Sequence, residues 1–321
     1  MPDSPADLHL VGLTTDGDLW HTMRRGADGH WLLFKDSTIP EAGKPGDFID
    51  VDCARQVANA DQHPSALHVV GVTADGRLWW ASRNSQTGSW NPFQNVEGSG
   101  GGEAGTFVRA AVSVSHAWQE TPHGQPTVEI HLAGLTSDGR LLVTSRARNA
   151  ATFSRFTNVE LTGGREQGDL RAAALAGITG RNNATSSHLC AITGDGHLLH
   201  SIGRPGSWQD LRDVESVGHA GEGGDLVDVG CADDLHVGAV SGDGHVWYTS
   251  RDPSHPERWL TFRDLESARN VGTFTRISAA QIRSGLHFSG VTSDGQLWHT
   301  IARTQRCPLG MSRMAPATLA R

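Results

Sequence analysis

The chain lacks long apolar segments, and it contains little tyrosine, methionine or cysteine. Its 321 residues include one Tyr, four Met and four Cys, and no two cysteines form a Cys-x-x-Cys pair. The longest apolar runs, such as residues 67–72, are far too short for a membrane-spanning helix, which needs about 20 residues. No basic segment followed by an apolar stretch opens the chain, so no secretory signal is predicted. We therefore expect a cytoplasmic protein without a membrane span, and release by a route that uses no signal peptide stays open.

Basic residues are also too few to balance the acidic ones. Lys and Arg number 27 against 35 Asp and Glu, which gives a formal net charge of −8. Nucleic acids and anionic membranes select basic surfaces, so neither is expected as a partner. The sequence also lacks the G-x-S-x-G, phosphate-loop, dinucleotide-binding and H-E-x-x-H motifs. No catalytic residue, cofactor or metal ligand is therefore assigned.

One hairpin pattern, in contrast, occurs six times. The first copy reads LHLVGLTTDGDLWHT, in which two apolar alternations flank an Asp-Gly pair. Asp-Gly in this setting is a strong hairpin signal and predicts a type I′ turn. The six copies occupy residues 8–22, 67–81, 130–144, 187–201, 235–249 and 286–300. Each has a histidine near its start, at His9, His68, His131, His188, His236 and His287.

The segments between the hairpins repeat as well. Five copies are followed by an aromatic segment, such as WLLF at Trp31 or WNPF at Trp90, then by a Gly-rich link and a strand of small residues. Each unit therefore reads as four short strands in about fifty residues, which is typical of a β-propeller blade. The small-residue strand should line the central channel, and the aromatic strand should be the outer one.

The predicted fold is all-β: one domain over residues 1–321, a six-bladed β-propeller of four-stranded antiparallel blades. Seven blades are the less supported alternative. The repeats lack an inner strand before residue 7 and an outer strand after Arg303. The non-repeat tail, residues 304–321, is therefore expected to contribute at least one strand to the closure of the ring.

The six hairpin histidines allow two interpretations. Imidazole is a common ligand of transition metals, so a ring of histidines could bind an ion. They belong to the second strand of each blade, however, where neighbouring copies lie too far apart to share one ion. We predict instead that each hydrogen-bonds a backbone group or turn. The position twelve residues later varies, with His21, His200 and His299 in three copies. This variation favours a role in tuning a pocket.

Tryptophan and arginine give the candidate ligand-binding residues. Aromatic rings stack on the C–H faces of sugars, and arginine donates hydrogen bonds to hydroxyl groups. The chain combines a hairpin Trp, an Arg after the hairpin and an outer-strand Trp in three intact sets. The candidate residues are Trp20, Arg24, Trp31, Trp79, Arg83, Trp90, Trp247, Arg251, Trp259, Trp298, His21 and His299. The alternative is that these tryptophans only pack adjacent blades together.

The repeat unit GVTADGRLWWASRNSQTGSWNPFQNVE resembles that of bacterial propeller lectins of the Photorhabdus lectin type, which are related to tectonin-like propellers. The resemblance covers residues 7–303. It implies a carbohydrate-binding propeller with several quasi-equivalent sites for fucose or O-methylated sugars. The best-known members have seven blades, so six copies depart from the family pattern.

The sequence is therefore compatible with three functions. The first is a multivalent lectin whose partners are glycans. The second is an enzyme of small-molecule biosynthesis, a cyclase or an acid–base catalyst, with one pocket for a small-molecule ligand. The third is a scaffold for protein interactions. Oligomerisation is compatible with all three.

Overall fold

A computed structural model describes the chain at residues 4, 6–36, 42–56, 65–118, 127–159, 169–181, 186–204, 206–216, 218–221, 223–233, 235–252, 254–255, 257–265, 272–282, 285–303 and 312–313. Its strands form six sheets, which follow one another along the chain. The fold is an all-β β-propeller. No helix in these ranges is long and apolar enough to cross a membrane.

The strands of the first three sheets are these. Sheet 1 contains β1 (Leu8–Leu13), β2 (Leu19–Arg24) and β3 (Lys35–Asp36). Sheet 2 contains β4 (Phe48–Gln56), β5 (Ala66–Thr73), β6 (Leu78–Asn84) and β7 (Gln94–Asn95), followed by one helical turn (Glu97–Gly101). Sheet 3 contains β8 (Phe107–Trp118), β9 (Thr127–Thr136), β10 (Leu141–Ala147) and β11 (Thr157–Asn158), and β13 (Thr179–Arg181) pairs with β8 in parallel.

The remaining three sheets repeat the same order. Sheet 4 contains β12 (Leu170–Gly177), β14 (Ser187–Thr193), β15 (Leu198–Arg204), β16 (Ser207–Trp208) and β17 (Arg212–Asp213). Sheet 5 contains β18 (Leu226–Ala232), β19 (His236–Ser241), β20 (Val246–Ser250) and β21 (Arg263–Asp264). Sheet 6 contains β22 (Phe274–Ile282), β23 (Gly285–Thr292), β24 (Leu297–Arg303) and β25 (Ser312–Arg313).

Five of the sheets thus have the predicted four antiparallel strands, and sheet 1 has three among the described residues. The short strand β25 lies in the tail and pairs with Trp298 and His299 of β24. The tail therefore supplies the outer strand of sheet 6, as the repeat count predicts. The outer strands differ from the prediction in one respect. Trp31 forms only an isolated bridge, and the two-residue strand β3 begins four residues later.

The Asp-Gly turns differ from the predicted type I′ geometry. In sheet 1 the amide of Thr14 donates to the carbonyl of Asp18 at 3.0 Å, so the loop contains three residues. Only Gly17 has a positive φ, of 77°, and Asp16 does not. This is a three-residue loop that ends in a left-handed glycine. The Thr14 hydroxyl accepts the Asp18 amide at 3.1 Å and stabilises the longer loop.

Small residues allow the inner strands of neighbouring sheets to approach closely. β4 packs beside β8, β8 beside β12, β12 beside β18, and β18 beside β22. A Cβ placed on Gly230 of β18 would lie 2.7 Å from the Cα of Ser278 in β22. The prediction that the small-residue strand lies innermost is therefore confirmed by the strand order.

Buried and half-buried carboxylates connect these inner strands. Asp50 Oδ2 accepts the amide of Ala110 at 2.8 Å, and Asp228 Oδ2 accepts the amide of Ile277 at 2.8 Å. Asp52 accepts the amides of Val112 and Cys53, each at 2.8 Å. Burial raises the pKa of Asp52 to about 7 and that of Asp228 to about 6. Each carboxylate therefore links one sheet to the next at the channel.

A glycine in the second strand receives the first aromatic residue of the inner strand. A Cβ on Gly71 would lie 2.6 Å from the Phe48 ring, and one on Gly290 would lie 2.8 Å from the Phe274 ring. Gly12 holds the same position in sheet 1, where no inner strand is described, and nothing lies within 4 Å of a Cβ placed there. The repeated glycine of the hairpin is therefore a packing residue.

Removal of the tail should destabilise the ring. Ending the chain after Arg303 removes β25 and the backbone pairing of β24 at Trp298 and His299. At roughly 1 kcal/mol for each hydrogen bond lost, we expect Tm to fall by about 4 °C. Differential scanning calorimetry measures this change. A chain that ends after Arg313 is the matched control and should keep the Tm of the full chain; equal Tm values for both truncations would contradict the closure by β25.

Candidate functional site

Three arginines lie directly opposite outer-strand tryptophans. Isolated antiparallel bridges join Arg24 to Trp31, Arg83 to Trp90 and Arg251 to Trp259. Paired residues of an antiparallel bridge lie side by side on the same face. The structure thus brings together two members of each predicted set, and they belong to sheets 1, 2 and 5.

A tight turn positions the pairs in sheets 1 and 2. In sheet 1 the Arg25 amide donates to the carbonyl of His30 at 2.9 Å, and the amide of Gly29 donates back to Arg25 at 2.8 Å. Gly29 has a φ of 75°, and a Cβ there would lie 2.7 Å from Nη2 of Arg24. Glycine is therefore required both for the turn and for the guanidinium that covers it. Gly88 has the same relation to Arg83 in sheet 2.

The hairpin tryptophans lie elsewhere on their strands. Trp79 Nε1 donates to Thr73 Oγ1 at 3.1 Å, and Trp247 Nε1 donates to Ser241 Oγ at 3.2 Å, both at the Asp-Gly end of the hairpin. The Arg follows its hairpin Trp by four residues, which in a strand is about 13 Å. Trp20 and Trp298 occupy the equivalent strand positions, opposite Asp36 and Arg313. The structure does not bring the hairpin Trp of a set to its Arg–Trp pair.

Instead, a histidine of the preceding sheet contacts the tryptophan of each pair. The Trp90 ring contacts the His21 ring of sheet 1 at a centroid distance of 5.9 Å, and Trp259 contacts His200 of sheet 4 at 5.2 Å. Trp31 contacts His299 of sheet 6 at 5.3 Å. All three contacts are near-perpendicular, at 84°, 75° and 84°. The candidate site is therefore formed by two adjacent sheets, with His from one and Arg and Trp from the next.

Each of these histidines is paired with the hairpin histidine of its own sheet. The Nδ1–Nε2 distance is 3.0 Å in the pairs His9–His21, His188–His200 and His287–His299. His236 instead contacts the Tyr248 hydroxyl at 2.8 Å, and His68 contacts Gln56 Oε1 at 3.2 Å. The partners are side chains and not the predicted backbone groups, because residues twelve apart lie on the same face of neighbouring strands.

Burial keeps these histidines neutral. It lowers the pKa of His9, His68 and His299 to about 3 and that of His131, His188 and His287 to about 4, and it holds the pKa of His200 well below its usual value. Neighbouring arginines act in the same direction, since Arg251 lies near His200 and Arg24 near His299. A cation bound at such a pair would lie near the guanidinium of the next sheet, so the surroundings disfavour a metal ion.

The other junctions between sheets carry different groups. Between sheets 2 and 3, Arg146 lies 4.8 Å from the Trp80 ring centroid, and Phe153 contacts the Trp80 edge. Between sheets 3 and 4, Val143 and Trp208 belong to one apolar cluster. Trp208 pairs with Gly203 in place of the exposed Arg204. Between sheets 5 and 6, Tyr248 contacts Phe288 at 5.7 Å. These three junctions thus match the His–Arg–Trp junctions in position and differ from them in chemistry.

Cavities lie at the junction of sheets 2 and 3 and at the junction of sheets 4 and 5. The cavity between sheets 2 and 3 has a volume of about 240 Å³ and includes His68, Trp80 and Arg146. The cavity between sheets 4 and 5 has a volume of about 280 Å³ and includes His200, Arg251 and Trp259. Both are large enough to receive part of a small polar molecule. The second cavity coincides with one of the His–Arg–Trp groups.

One further group of side chains has the composition of a metal site. Ligand atoms of His197, Asp213 and Glu215 lie within 4.8 Å of one another at the surface of sheet 4. His197 Nδ1 lies 2.7 Å from Glu215 Oε2, and this contact raises the pKa of the histidine. Glu215 Oε1 also accepts the amide of Gly223 at 2.9 Å. The group is accounted for as an ion pair that fixes a surface turn.

Sequence reasoning assigned His21 and His299 to the candidate site but omitted His200, Trp80 and Arg146. His200 carries the same signal as His21, namely its position twelve residues after a hairpin histidine. Trp80 and Arg146 stand in the same two repeat positions as His21 and Arg24. A set of residues from a single repeat does not include these three, because each site combines residues of two repeats.

The neutral histidines predict a loss of stability in acid. The unfolded chain takes up protons below its histidine pKa of 6.5, whereas the folded chain does so only near pH 3 to 4. Each such histidine should therefore lower the free energy of unfolding by up to about 2 kcal/mol at pH 5 relative to pH 7.5. Asp52 and Asp228 act in the opposite direction, because their raised pKa values favour folding as the pH falls from about 7 toward 3.8. Seven histidines outweigh them.

Urea titrations at pH 7.5 and pH 5 measure this difference. The variant His200→Gln should be less sensitive to pH than the parent protein, because it loses one titrating group and keeps an amide that can bond His188. The exposed variant His255→Gln is the matched control and should behave as the parent does. A midpoint that is equal or higher at pH 5 in the parent would contradict the neutral, buried state of the histidines.

Comparison with known proteins identifies the fold but no family by sequence. No family model and no curated protein matches the chain. Among solved structures, a fungal lectin from Aleuria aurantia, described as a six-bladed β-propeller with a fucose recognition mode, is similar over 99% of this chain and 95% of its own, with a TM-score of 0.64 and 11% identity. The BP39L lectin of Burkholderia pseudomallei is similar over 97% of this chain and 81% of its own, with a TM-score of 0.61 and 16% identity.

The SapL1 lectin, solved in complex with α-methyl fucoside, is similar over 98% of this chain and 95% of its own, with a TM-score of 0.60 and 10% identity. At these identities the comparison shows the architecture alone. The chain has the β-propeller fold of these lectins.

Proposed function

We propose that the protein is a multivalent carbohydrate-binding propeller whose sugar sites lie between adjacent sheets. The observation that carries the proposal is the recurrence of one group, a neutral His–His pair facing an Arg–Trp bridge, at three junctions. Trp90, Trp259 and Trp31 mark these junctions. Repetition of a polar and aromatic group at equivalent positions favours several similar sites over one catalytic centre.

The six sheets are proposed to close as six blades. Trp31 of sheet 1 contacts His299 of sheet 6, so the first and last sheets meet in the same way as sheets 1 and 2 do. The similarity to a lectin described as six-bladed supports this count.

The chemistry of each junction suits a neutral sugar. The tryptophan face can stack on C–H groups, and the guanidinium donates hydrogen bonds to ring and hydroxyl oxygens. In the pair His188–His200, Nε2 of His200 is engaged with Nδ1 of His188, which leaves Nδ1 of His200 for the cavity. Fucose, whose C5 methyl group adds apolar surface, and O-methylated sugars fit such a mixture of aromatic and polar groups. The similar structures include fucose-binding lectins, and a relation to the Photorhabdus or tectonin-like type remains part of this proposal.

Several weak sites on one chain would act together. A single stacked sugar contributes about 1 kcal/mol beyond area burial, so one site alone binds weakly. Sites on one rigid body raise the avidity for a clustered glycan by roughly 10² to 10⁴. The glycans bound are therefore expected to be multivalent, as on a cell surface or a polymer.

Stoichiometry distinguishes sites between sheets from sites within one repeat. Isothermal titration with α-methyl-L-fucoside should give more than one equivalent bound per chain. Trp90→Ala and His21→Asn each lie at the junction of sheets 1 and 2, so each should remove one equivalent, and the double variant should remove no more. Additive loss in the double variant would instead indicate that the two residues belong to different sites.

Trp79→Ala is the matched tryptophan control. Its indole N–H bonds Thr73 at the far end of the hairpin, so its loss should lower Tm and leave the stoichiometry unchanged. If Trp79→Ala removes one equivalent and Trp90→Ala removes none, the site lies at the hairpin Trp. A glycan array that includes methylated sugars then identifies the preferred ligand, and an array without any binding would refute the lectin function.

A further inference from the structure

The cavity between sheets 2 and 3 differs in charge from its counterpart between sheets 4 and 5. Its lining includes Arg146 and Arg148, and none of the described residues that line it is an Asp or Glu. The counterpart also contains two arginines, but they are joined by Asp210, Asp213 and Glu257. In a protein of net charge −8, the charged side chains that the structure describes in this cavity are thus both positive.

The two arginines of this cavity have no acidic partner among the described residues. Arg146 donates from Nε to the carbonyl of Ala150 at 2.7 Å and from Nη1 to Gln94 Oε1 at 3.4 Å, and both acceptors are neutral. Arg146 also lies over the Trp80 ring at 4.8 Å. Partial burial lowers the pKa of the Arg146 guanidinium. A partly buried positive charge that no described carboxylate neutralises is stabilised by a bound anion.

Two buried polar atoms in the lining also have no hydrogen-bond partner in the part of the chain that the structure describes. Trp80 is 5% exposed, and its indole N–H has no acceptor. His68 is 4% exposed, and its Nε2 contacts Gln56 Oε1, which leaves Nδ1 without a partner. Because burial keeps His68 neutral, Nδ1 is a hydrogen-bond acceptor when Nε2 carries the proton. Buried groups of this kind normally have a partner, so they point to a ligand that fills the cavity.

These donors and this acceptor define the ligand. Two guanidinium groups and an indole N–H suit an anionic group, and the imidazole nitrogen suits a hydroxyl donor. We propose that the cavity between sheets 2 and 3 binds an acidic sugar, whose carboxylate lies at Arg146 and Arg148 and whose hydroxyl donates to His68. The assignment rests on the proposed carbohydrate-binding function. It makes this junction selective for acidic sugars, whereas the other sites bind neutral sugars.

Titration with a matched sugar pair tests the assignment. D-Galacturonate and D-galactose differ only in the carboxylate at C6, so their difference in affinity isolates the charge. We expect galacturonate to bind with one equivalent per chain and roughly tenfold or more tighter than galactose, as is typical of charge-assisted bonds to Arg. Arg148→Gln should abolish this preference. Arg77→Gln removes an equal charge at the Asp-Gly turn of sheet 2, where Arg77 lies beside Asp75, and should keep it.

A measurement on the unmodified chain tests the proposal without a variant, which could misfold. A tenfold rise in ionic strength should weaken galacturonate binding several-fold and leave α-methyl-L-fucoside binding unchanged, because only the former depends on charge. Equal affinities for galacturonate and galactose would overturn the proposal. So would equal affinities of acetate and galacturonate, which would reduce the cavity to a simple anion site.

The two proposals fail in different ways. Fucoside binding at several equivalents without a galacturonate preference refutes the acidic-sugar site and leaves the lectin function standing. One equivalent of galacturonate without fucoside binding supports the acidic-sugar site and refutes the neutral sites. Absence of binding by both sugars refutes both.

Discussion

The close approach of neighbouring sheets along their inner strands is the constraint on which the rest of the structure depends. Small residues such as Gly230 permit this approach, and Asp50 and Asp228 connect one inner strand to the next through buried hydrogen bonds. Sheets that meet so tightly at the centre must diverge toward the outer strands. The widening gap has to be filled by larger side chains or left as a cavity. The aromatic, arginine and histidine groups lie in this outer part.

Filling the gap with polar groups imposes a second constraint, which the paired histidines satisfy. A charged imidazole would be poorly solvated there and repelled by the arginine of the next sheet. A neutral pair shares one hydrogen bond, as in His188–His200, and retains ring nitrogens for other partners. Such pairs add polar chemistry to the junction without adding charge. The junctions can therefore hold a histidine pair beside an arginine without repulsion between two positive charges.

The sequence was sufficient to predict the repeat, the fold class, the inner strands and the strand in the tail. Each of these depends on a local pattern, such as the Asp-Gly turn at Gly17 or the small residues of β18. The site could not be located from the sequence to the same degree. Trp90 and His21 are 69 positions apart and belong to different repeats. Alignment of the repeats groups Trp79, Arg83 and Trp90, because they belong to one repeat. It gives no information on which residues of neighbouring sheets face each other. The loop geometry at Asp16 was also missed, because the Thr14 hydroxyl stabilises a longer loop than the dipeptide alone indicates.

The junctions differ in chemistry because the residues that stabilise the ring and the residues that line the junctions occupy different positions along each strand. Closure depends on positions that barely vary, such as the glycine that receives Phe48 or Phe274. The position twelve residues after the hairpin histidine holds His21, Trp80, Val143, His200, Tyr248 or His299 in successive sheets. It contacts the hairpin histidine of its own sheet or a residue of the next sheet, so a change there alters one junction. The arginine-rich cavity beside Trp80 and the carboxylate-bearing cavity beside His200 show how far two copies can diverge on one frame. A repeated fold of this kind can therefore hold binding sites of different specificity on a single chain.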